Sequence, residues 1–221
     1  MKRPGRRWEA VLLAAGASTR MGQVKALLPW AGTSLVGHQL RELLATRIRR
    51  AILVVGAHGA QITGQPEVRA HAAAGRVQVV TNPRWSEGKC GSIRVGVEAV
   101  APSATDLVLL AVDQPTAAEV LEALMAEHER RAAAATLPTY GGRRGHPALL
   151  SARLAGQLRA LREEEQGLRG LIARLDAQGA LVEAPVRAPC VRWDLNRPGD
   201  LAAVRERPNF TTGEDKPPSI M

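Results

Sequence analysis

Short apolar runs alternate with helical patterns along almost the whole chain. Because most of these runs lack the in-out alternation of a half-exposed strand, they predict strands that are covered on both faces. The predicted strands are Trp8–Ala14, Ala51–Val55, Val77–Thr81, Leu107–Ala111, Thr136–Pro138, Pro147–Leu150 and Val191–Leu195. The predicted helices are Ser34–Ala45, Gly91–Val100, Ala117–Ala135, Ala152–Leu161, Leu168–Ala177 and Gly199–Glu206. This order predicts an α/β fold with a mostly parallel sheet in three layers, whose functional groups gather beyond the carboxyl ends of the strands.

The length and composition fit one domain. The chain has 221 residues, of which 45% are hydrophobic, and this is enough to bury a full core. We place the domain at residues 8–206 and expect residues 1–7 and 207–221 to be disordered, because the tail is polar, rich in proline and without periodicity. The segment Tyr140–His146 is rich in Gly and Arg and lies between two short strands, which predicts a hairpin and not a crossover.

The cysteines and the apolar segments indicate the compartment. Cys90 and Cys190 are too few for a disulfide scaffold and favour a reducing environment. The basic N-terminus is followed by an apolar run, but this run is short and ends in the polar Ser18-Thr19-Arg20, unlike a signal peptide. No apolar stretch reaches the length of a membrane span. We therefore predict a cytoplasmic protein without membrane partners.

The net charge of +9 favours anionic partners such as nucleotides and phosphorylated cofactors. Part of it lies in two short stretches, Lys2, Arg3, Arg6 and Arg7 at the N-terminus and Arg47, Arg49 and Arg50 after the first helix. A protein that binds nucleic acid is expected to interleave aromatic residues with such clusters, and aromatics form only 3% of this chain. We therefore interpret both stretches as a solvated basic surface and expect no nucleic-acid partner.

The segment from Ala15 to Lys25, directly after the first predicted strand, is the strongest sign of a binding site. Gly16 and Gly22 permit tight curvature, so that successive backbone N–H groups can point at phosphate oxygens. Arg20 offers a bidentate fork and Lys25 a mobile point charge. The spacing fits neither a Walker loop nor the GxGxxG fingerprint, so the segment predicts a phosphate cradle of another type.

This cradle also carries a resemblance to a known family. Residues 13–32, LAAGASTRMGQVKALLPWAG, resemble the signature of the nucleotidyltransferases that mature molybdenum cofactor and are most similar to molybdenum cofactor cytidylyltransferases. Four more segments resemble motifs of this family in the same order: NPRWSEGKCGSIRVGV (82–97), AVDQP (111–115), GRRGHP (142–147) and DLNRPGDL (194–201). The resemblance implies a Rossmann-like sheet of the nucleotide-diphospho-sugar transferase type, and transfer of CMP from CTP to a molybdopterin-type cofactor with release of pyrophosphate.

The resemblance also implies the residues of the donor side. The expected nucleotide-binding residues are Leu13, Ala14, Ala15, Gly16, Arg20, Lys25, Asn82, Gly88 and Ser92. Arg20, Lys25 and Asp113 are the expected catalytic residues, because two anionic reactants require charge neutralisation and alignment. Ser92 can contact the nucleotide, cap the following helix, or do both. Ala15 favours cytidine, since the guanylyltransferase relatives carry Gly at this position.

Asp113 and Asn196 are the expected ligands of Mg²⁺, a cation that prefers oxygen. Asp113 follows a predicted buried strand and matches the DQP motif. Asn196 matches an Asp in the cytidylyltransferase pattern and an Asn in the guanylyltransferases, so it favours GTP as the donor. Asp194 lies on the same side of an extended segment as Asn196, where it either assists in binding the metal or orients Asn196.

Arg143, Arg144 and His146 form the loop that the resemblance assigns to the acceptor. The implied partners are CTP or GTP, a molybdopterin-type cofactor, and a molybdoenzyme that receives the product. The alternatives are a related guanylyltransferase, a nucleotidyltransferase acting on a sugar or alcohol phosphate, and a non-catalytic molybdenum cofactor chaperone. The intact cradle and Asp113 favour an enzyme over a chaperone.

Overall fold

The computed structural model describes residues 5–205 of the chain. These residues fold into an eight-stranded sheet with helices on both faces. The strands are β1 (Trp8–Ala14), β2 (Pro29–Trp30), β3 (Thr33–Ser34), β4 (Ile48–Val55), β5 (Val77–Thr81), β6 (Asp106–Ala111), β7 (Ala135–Tyr140), β8 (Arg143–Arg144), β9 (Ala148–Ser151) and β10 (Leu181–Pro185). The helices are α1 (Leu35–Leu44), α2 (Gly59–Thr63), α3 (Pro66–Ala73), α4 (Lys89–Glu98), α5 (Ala118–Arg131), α6 (Ala155–Arg159), α7 (Gly167–Ala177) and α8 (Pro198–Arg205). Of the two termini predicted to be disordered, residues 1–4 and 207–221 lie outside the described residues.

The strand order in the sheet is β10-β7-β9-β6-β1-β4-β5, with β8 paired to β7 alone, and β2 and β3 form a separate small hairpin. Parallel pairs join β1 to β4 and β6, β4 to β5, and β7 to β10. β9 is antiparallel to both β6 and β7. The predicted α/β fold with a mostly parallel sheet is therefore confirmed.

Two apolar cores lie on opposite faces of this sheet and make it the middle of three layers. Leu12 belongs to the core that contains residues of α1, α3 and α5. Val11 and Leu13 face the other core, with residues of α4, α6 and α7. Every residue of β1 is buried, which explains why its sequence does not alternate. None of the described helices is both long enough and apolar enough to cross a membrane.

The strand predicted at Val191–Leu195 is wrong. Pro189–Arg192 forms a 3₁₀ turn, and the last strand of the sheet is β10, which the sequence reading missed. Val191 and Leu195 are apolar because they are buried in the core under the sheet edge, without strand pairing. β10 was missed because LVEAP is short and contains Glu and Pro, two residues that are depleted in strands.

Residues with positive φ set the end of one helix and the turn of one hairpin. The helix predicted to extend to Ala135 ends at Arg131, because Ala132 adopts a left-handed conformation with φ 49°. Ala135 begins β7 instead. The hairpin predicted at Tyr140–His146 is confirmed: β7 and β8 are antiparallel and turn at Gly141 and Gly142, both of which have positive φ.

Candidate active site

The carboxyl ends of β1 and β6 border a cavity of about 740 Å³, a volume typical of small-molecule sites. All of the predicted donor-side and metal residues line it except Asn82: Leu13, Ala14, Ala15, Gly16, Arg20, Lys25, Gly88, Ser92, Asp113 and Asn196. The fold therefore brings together residues that are far apart in the sequence.

The predicted cradle follows β1 as a loop that its own side chains close. Ser18 and Gly22 both have positive φ and flank a short 3₁₀ turn. The Ser18 hydroxyl accepts a hydrogen bond from the backbone N–H of Lys25 at 3.0 Å. Met21 is 3% exposed and anchors the loop in the core, while Arg20 is exposed at the cavity. The Arg20 guanidinium has no partner among the described residues and is available for an anion.

The Lys25 ammonium joins the two predicted metal ligands. Its Nζ lies 2.6 Å from Asp113 Oδ2 and 2.7 Å from Asn196 Oδ1. The backbone fixes the same arrangement, since the N–H of Leu195 donates to the Asp113 carbonyl at 2.9 Å. The side chains of Lys25 and Asp113 are only 12% and 17% exposed, so their attraction is screened less than that of a surface pair.

A buried glutamine of α1 holds the turn that carries Asp113. Gln39 is fully buried, and its amide donates to the carbonyl of Gln114 at 2.7 Å and accepts from the N–H of Thr116. The Gln114 side chain in turn accepts from the N–H of Ala111 at 3.1 Å. The sequence reading missed Gln39, although a Gln on the apolar face of a predicted helix is a signal of a buried polar contact.

The oxygens of Asp113, Asp194 and Asn196 make a divalent metal a suitable occupant of this end of the cavity. Burial and the negative charge of Asp113 both raise the pKa of Asp194. No group of three or more His, Cys, Asp or Glu side chains within residues 5–205 is arranged to hold a metal ion alone. A Mg²⁺ ion with one or two carboxylates completes its shell with water and substrate phosphates, and this donor set fits that pattern.

Asn82 supports the cavity wall at Ser92 from behind. It is 3% exposed, and its Nδ2 donates to the Ser92 hydroxyl at 3.0 Å. Ser92 is therefore held by Asn82 inside α4, and the structure shows no capping hydrogen bond from its side chain at the start of that helix. Gly88 precedes the helix with φ 123°, a conformation that L side chains rarely adopt.

A second cavity of about 520 Å³ adjoins the first and contains part of the predicted acceptor loop. Arg144 and His146 line it, whereas Arg143 is exposed outside both cavities. The Arg144 guanidinium lies 2.5 Å from Asp176 and 2.6 Å from Glu183. These carboxylates raise the pKa of Arg144 and direct its fork toward the sheet edge.

His146 is neutral at physiological pH. Burial lowers the pKa of its imidazole to about 4 and outweighs the attraction of Asp113. Its Nε2 is buried and has no hydrogen-bond partner within the described chain. An unsatisfied buried nitrogen beside a cavity is a group that a ligand can satisfy.

Two residues that meet at the start of α4 were not singled out by sequence reasoning: Lys89 in its first turn and Glu163 from the segment between α6 and α7. Lys89 is exposed and lines both cavities, where its charge acts on His146 and on Asp194. Glu163 accepts a hydrogen bond from the N–H of Cys90 at 2.6 Å and so caps this helix from a distant segment. Burial and Glu163 raise the pKa of the Cys90 thiol to about 11, which makes this thiol a poor nucleophile at neutral pH.

Residues 10–179 match the family model described as the MobA-like NTP transferase domain. A nicotine blue oxidoreductase of Paenarthrobacter nicotinovorans is 30% identical over 65% of this chain and 71% of its own length. A molybdenum cofactor cytidylyltransferase of Escherichia coli K12 is 29% identical over 65% of this chain and 69% of its own. A molybdenum cofactor guanylyltransferase of Xanthomonas euvesicatoria is 36% identical over 58% of this chain and 59% of its own length.

Solved structures share this fold. A crystal structure of a Mycobacterium tuberculosis H37Rv protein has a TM-score of 0.74 and 28% identity, and covers 91% of this chain and 99% of that one. The same protein was also solved as a complex with manganese. That structure has a TM-score of 0.67 and 28% identity, and it covers 89% of this chain and 97% of that one. A nucleotidyl transferase from Methanothermobacter has a TM-score of 0.73 at 23% identity, with 91% and 97% covered, and shows the likeness of fold alone.

Proposed function

The chain belongs to the family of MobA-like NTP transferase domains, and on this premise we propose that it transfers CMP from CTP to a molybdopterin-type molybdenum cofactor with release of pyrophosphate. Family membership makes it a nucleotidyltransferase. The cytidine donor, the pterin acceptor, Mg²⁺ as the metal and a molybdoenzyme as the recipient of the product are parts of the proposal, and so is a cytoplasmic location.

The observation that carries the proposal is the contact of Lys25 with Asp113 and Asn196 at one end of the larger cavity. A cation and metal-type oxygens stand together beside a glycine-containing loop that begins at Ala15. Such an arrangement suits a triphosphate with its metal ion, whose negative charge must be neutralised before another anion can approach.

The proposed reaction needs no side-chain nucleophile. A phosphate oxygen of the acceptor attacks the α-phosphorus of CTP, the bond from that phosphorus to the bridging oxygen breaks, and pyrophosphate leaves with the electron pair. Mg²⁺, when bound, supplies positive charge to the phosphate oxygens. Asp113 and Asn196 would hold it, Arg20 and Lys25 would hold the triphosphate, and Asn82 would keep Ser92 in position beside the nucleotide.

Lys25 has two tasks in this proposal. Its ammonium neutralises Asp113 and contacts the oxygens that a metal would require. With CTP and Mg²⁺ bound, Asp113 and Asn196 would hold the metal and the Lys25 ammonium would contact phosphate oxygens of CTP instead. A lysine suits this exchange, because its charge sits on a flexible stem with three rotatable donors.

The second cavity is the proposed acceptor side. It adjoins the first along Leu13, Lys89, Ala111 and Gln114, so an acceptor phosphate can approach the α-phosphorus from there. The unsatisfied Nε2 of His146 is available to position the acceptor as a neutral imidazole. Arg144 would reach the acceptor by leaving its carboxylate partners, and Arg143 by extending from the hairpin.

A guanylyltransferase is the second candidate, favoured by one residue. Asn196 matches the motif of the guanylyltransferase relatives, and it contacts Lys25 directly. Ala15 favours cytidine instead, because its methyl group stands where those relatives have only hydrogen. Since Ala15 is 5% exposed and borders the cavity, we give it more weight than Asn196 as an indicator of the nucleotide donor.

The donor is tested by competition. The purified protein receives Mg²⁺, a molybdopterin-type cofactor and an equimolar mixture of CTP, GTP and ATP, and the dinucleotide products are separated and quantified. The proposal predicts the cytosine dinucleotide as the main product. A main product containing guanine would show that Asn196 is the determinant of the donor.

A further inference from the structure

A second cluster of positive charge lies at the amino-terminal ends of β1 and β4, on the side of the sheet opposite to the candidate active site. These strands are parallel neighbours, with Glu9 opposite Arg50 in the register. Arg7, which precedes β1, and Arg49, which lies in β4, therefore come close together. β1 is seven residues long, so roughly 20 Å of strand separates this cluster from the cradle.

A cavity of about 260 Å³ opens between these side chains. Its lining consists of Arg7, Glu9, Arg49, Arg50, Ser103 and Ala104. The last two residues belong to the turn between α4 and β6, which Arg7 holds through a hydrogen bond from its Nε to the Ser103 carbonyl at 2.6 Å. Three guanidinium groups and one carboxylate give this lining a formal surplus of positive charge.

The carboxylate is already satisfied within the protein. Glu9 lies 3.0 Å from Arg50 Nη2 and also accepts from the N–H of Ala101 at 3.1 Å. Arg50 Nη1 donates to Gln78 at 2.7 Å, but its Nε is buried without a hydrogen-bond partner in the described part of the chain. A buried donor without a partner is costly, so this site favours an additional acceptor.

The other two arginines retain free donors. The terminal nitrogens of Arg7 and the whole guanidinium of Arg49 have no partner among residues 5–205. Their neighbours in the sequence differ: Arg6 pairs with Asp106 at 2.5 Å, and Arg47 pairs with Glu122 at 3.0 Å. The fold thus supplies carboxylates to Arg6, Arg47 and Arg50 and leaves Arg7 and Arg49, which line the cavity, without one among the described residues.

We propose that this cavity binds inorganic phosphate at a site separate from the candidate active site. Guanidinium groups bind phosphate through paired N–H donors, and the Ser103 hydroxyl adds a further donor. The volume is below that of cavities that take drug-sized ligands and suits one small oxyanion. The two basic stretches, interpreted from the sequence as a solvated surface, are therefore in part a binding site.

The test is a titration of the ¹⁵N-labelled full chain with sodium phosphate, followed by amide shifts and compared with sodium chloride of equal ionic strength. We expect saturable shifts at residues 7, 49, 50, 103 and 104. In the double variant Arg7→Gln/Arg49→Gln, the dissociation constant at these amides should rise roughly tenfold or more, the loss expected for charge-assisted contacts. The matched control Arg153→Gln/Arg159→Gln removes two exposed charges elsewhere and should stay within about twofold of the parent.

Three results would overturn the proposal. The first is that phosphate shifts only the amides of the cradle. The second is that the five amides respond equally to phosphate and to chloride. The third is that the control double variant weakens phosphate binding as much as the cavity double variant. If the double variant loses its dispersed spectrum, Arg49→Gln alone is compared with the parent, because the Arg49 side chain makes no hydrogen bond or ion pair within residues 5–205. None of these outcomes depends on the proposed CMP transfer.

Discussion

Lys25 and Asp113 are 88 residues apart in the sequence, and the ammonium of one lies 2.6 Å from a carboxylate oxygen of the other. Lys25 belongs to the loop after β1, and Asp113 follows β6, the strand that pairs beside β1. The parallel pairing of these strands places both loops at one edge of the sheet. This contact joins the cradle to the proposed metal site, which supports the interpretation of the two as parts of one site.

The first prediction concerns competition between Lys25 and a metal ion. In Lys25→Met, the oxygens of Asp113 and Asn196 lose their resident cation, so Mn²⁺ should bind the nucleotide-free protein more tightly than it binds the parent. Turnover should nevertheless fall roughly 10- to 150-fold, because the triphosphate loses one charge-assisted contact. Electron paramagnetic resonance of Mn²⁺ measures the affinity, and pyrophosphate release measures the turnover.

Arg153→Met is the control for this experiment, because it removes one exposed positive charge that does not line the cavity. It should change neither quantity. Unchanged or weaker Mn²⁺ binding in Lys25→Met would show that Asp113 and Asn196 are not the metal ligands.

The second prediction concerns Asp113. The substitution Asp113→Ala should lower turnover on the order of 10²-fold or more, because charge stabilisation of several kcal/mol is lost. The fold should persist, since the hydrogen bond from Leu195 reaches the Asp113 backbone and not its side chain. Turnover at saturating Mg²⁺ and thermal unfolding are the two measurements. Near-normal turnover would place the metal on another residue, such as Asp194.

The third prediction separates the acceptor from the donor. The double variant Arg143→Ala/Arg144→Ala should raise the KM for the acceptor roughly 10- to 150-fold and leave the affinity for CTP unchanged. Titrations with CTP and with acceptor, each alone, measure the two affinities. Equal loss of CTP affinity in this variant and in Lys25→Met would assign the hairpin to the donor side.

The charge of His146 gives a prediction about pH. Burial lowers the pKa of His146 to about 4, while an unfolded histidine has a pKa near 6.5. Between these values the unfolded chain binds more protons than the folded one, so this residue favours unfolding increasingly as the pH falls below 6.5. The effect is complete below about pH 4 and amounts to about 3 kcal/mol of the free energy of unfolding.

Urea unfolding of the parent and of His146→Asn at several pH values between 4 and 7 measures this contribution. The free energy of unfolding of the variant should depend less on pH in this window than that of the parent. Parallel curves for the two proteins would show that His146 titrates normally and is accessible to water.

Much of this arrangement could be predicted from local sequence. β1 and the loop from Ala15 to Lys25 were predictable because a buried strand and a glycine-containing turn each leave a local signal. The contact between Lys25 and Asn196 was not, since it depends on where a segment without regular structure crosses the sheet edge. The same segment misled the strand prediction at Val191–Leu195, because burial under a loop and burial in a sheet produce similar apolar runs.

Other parts of the site depend on tertiary pairing alone. The motif around Arg144 predicted the hairpin, but its ion pairs with Asp176 and Glu183 involve α7 and β10, and β10 was not predicted. The role of Gln39 likewise depends on the distance from α1 to the turn after β6. Sequence patterns therefore indicated which residues line the cavities more fully than how those residues are held.

The central claim is tested most directly by following the α-phosphorus of the donor. The protein is incubated with Mg²⁺, a molybdopterin-type cofactor and CTP labelled at the α-phosphate, and the label and the pyrophosphate are quantified together. We predict that the label appears in the acceptor, covalently bound as CMP, with one pyrophosphate released per label transferred. Label that remains in CTP while the acceptor binds unchanged, or that is released only as free CMP, would contradict nucleotidyl transfer to this cofactor.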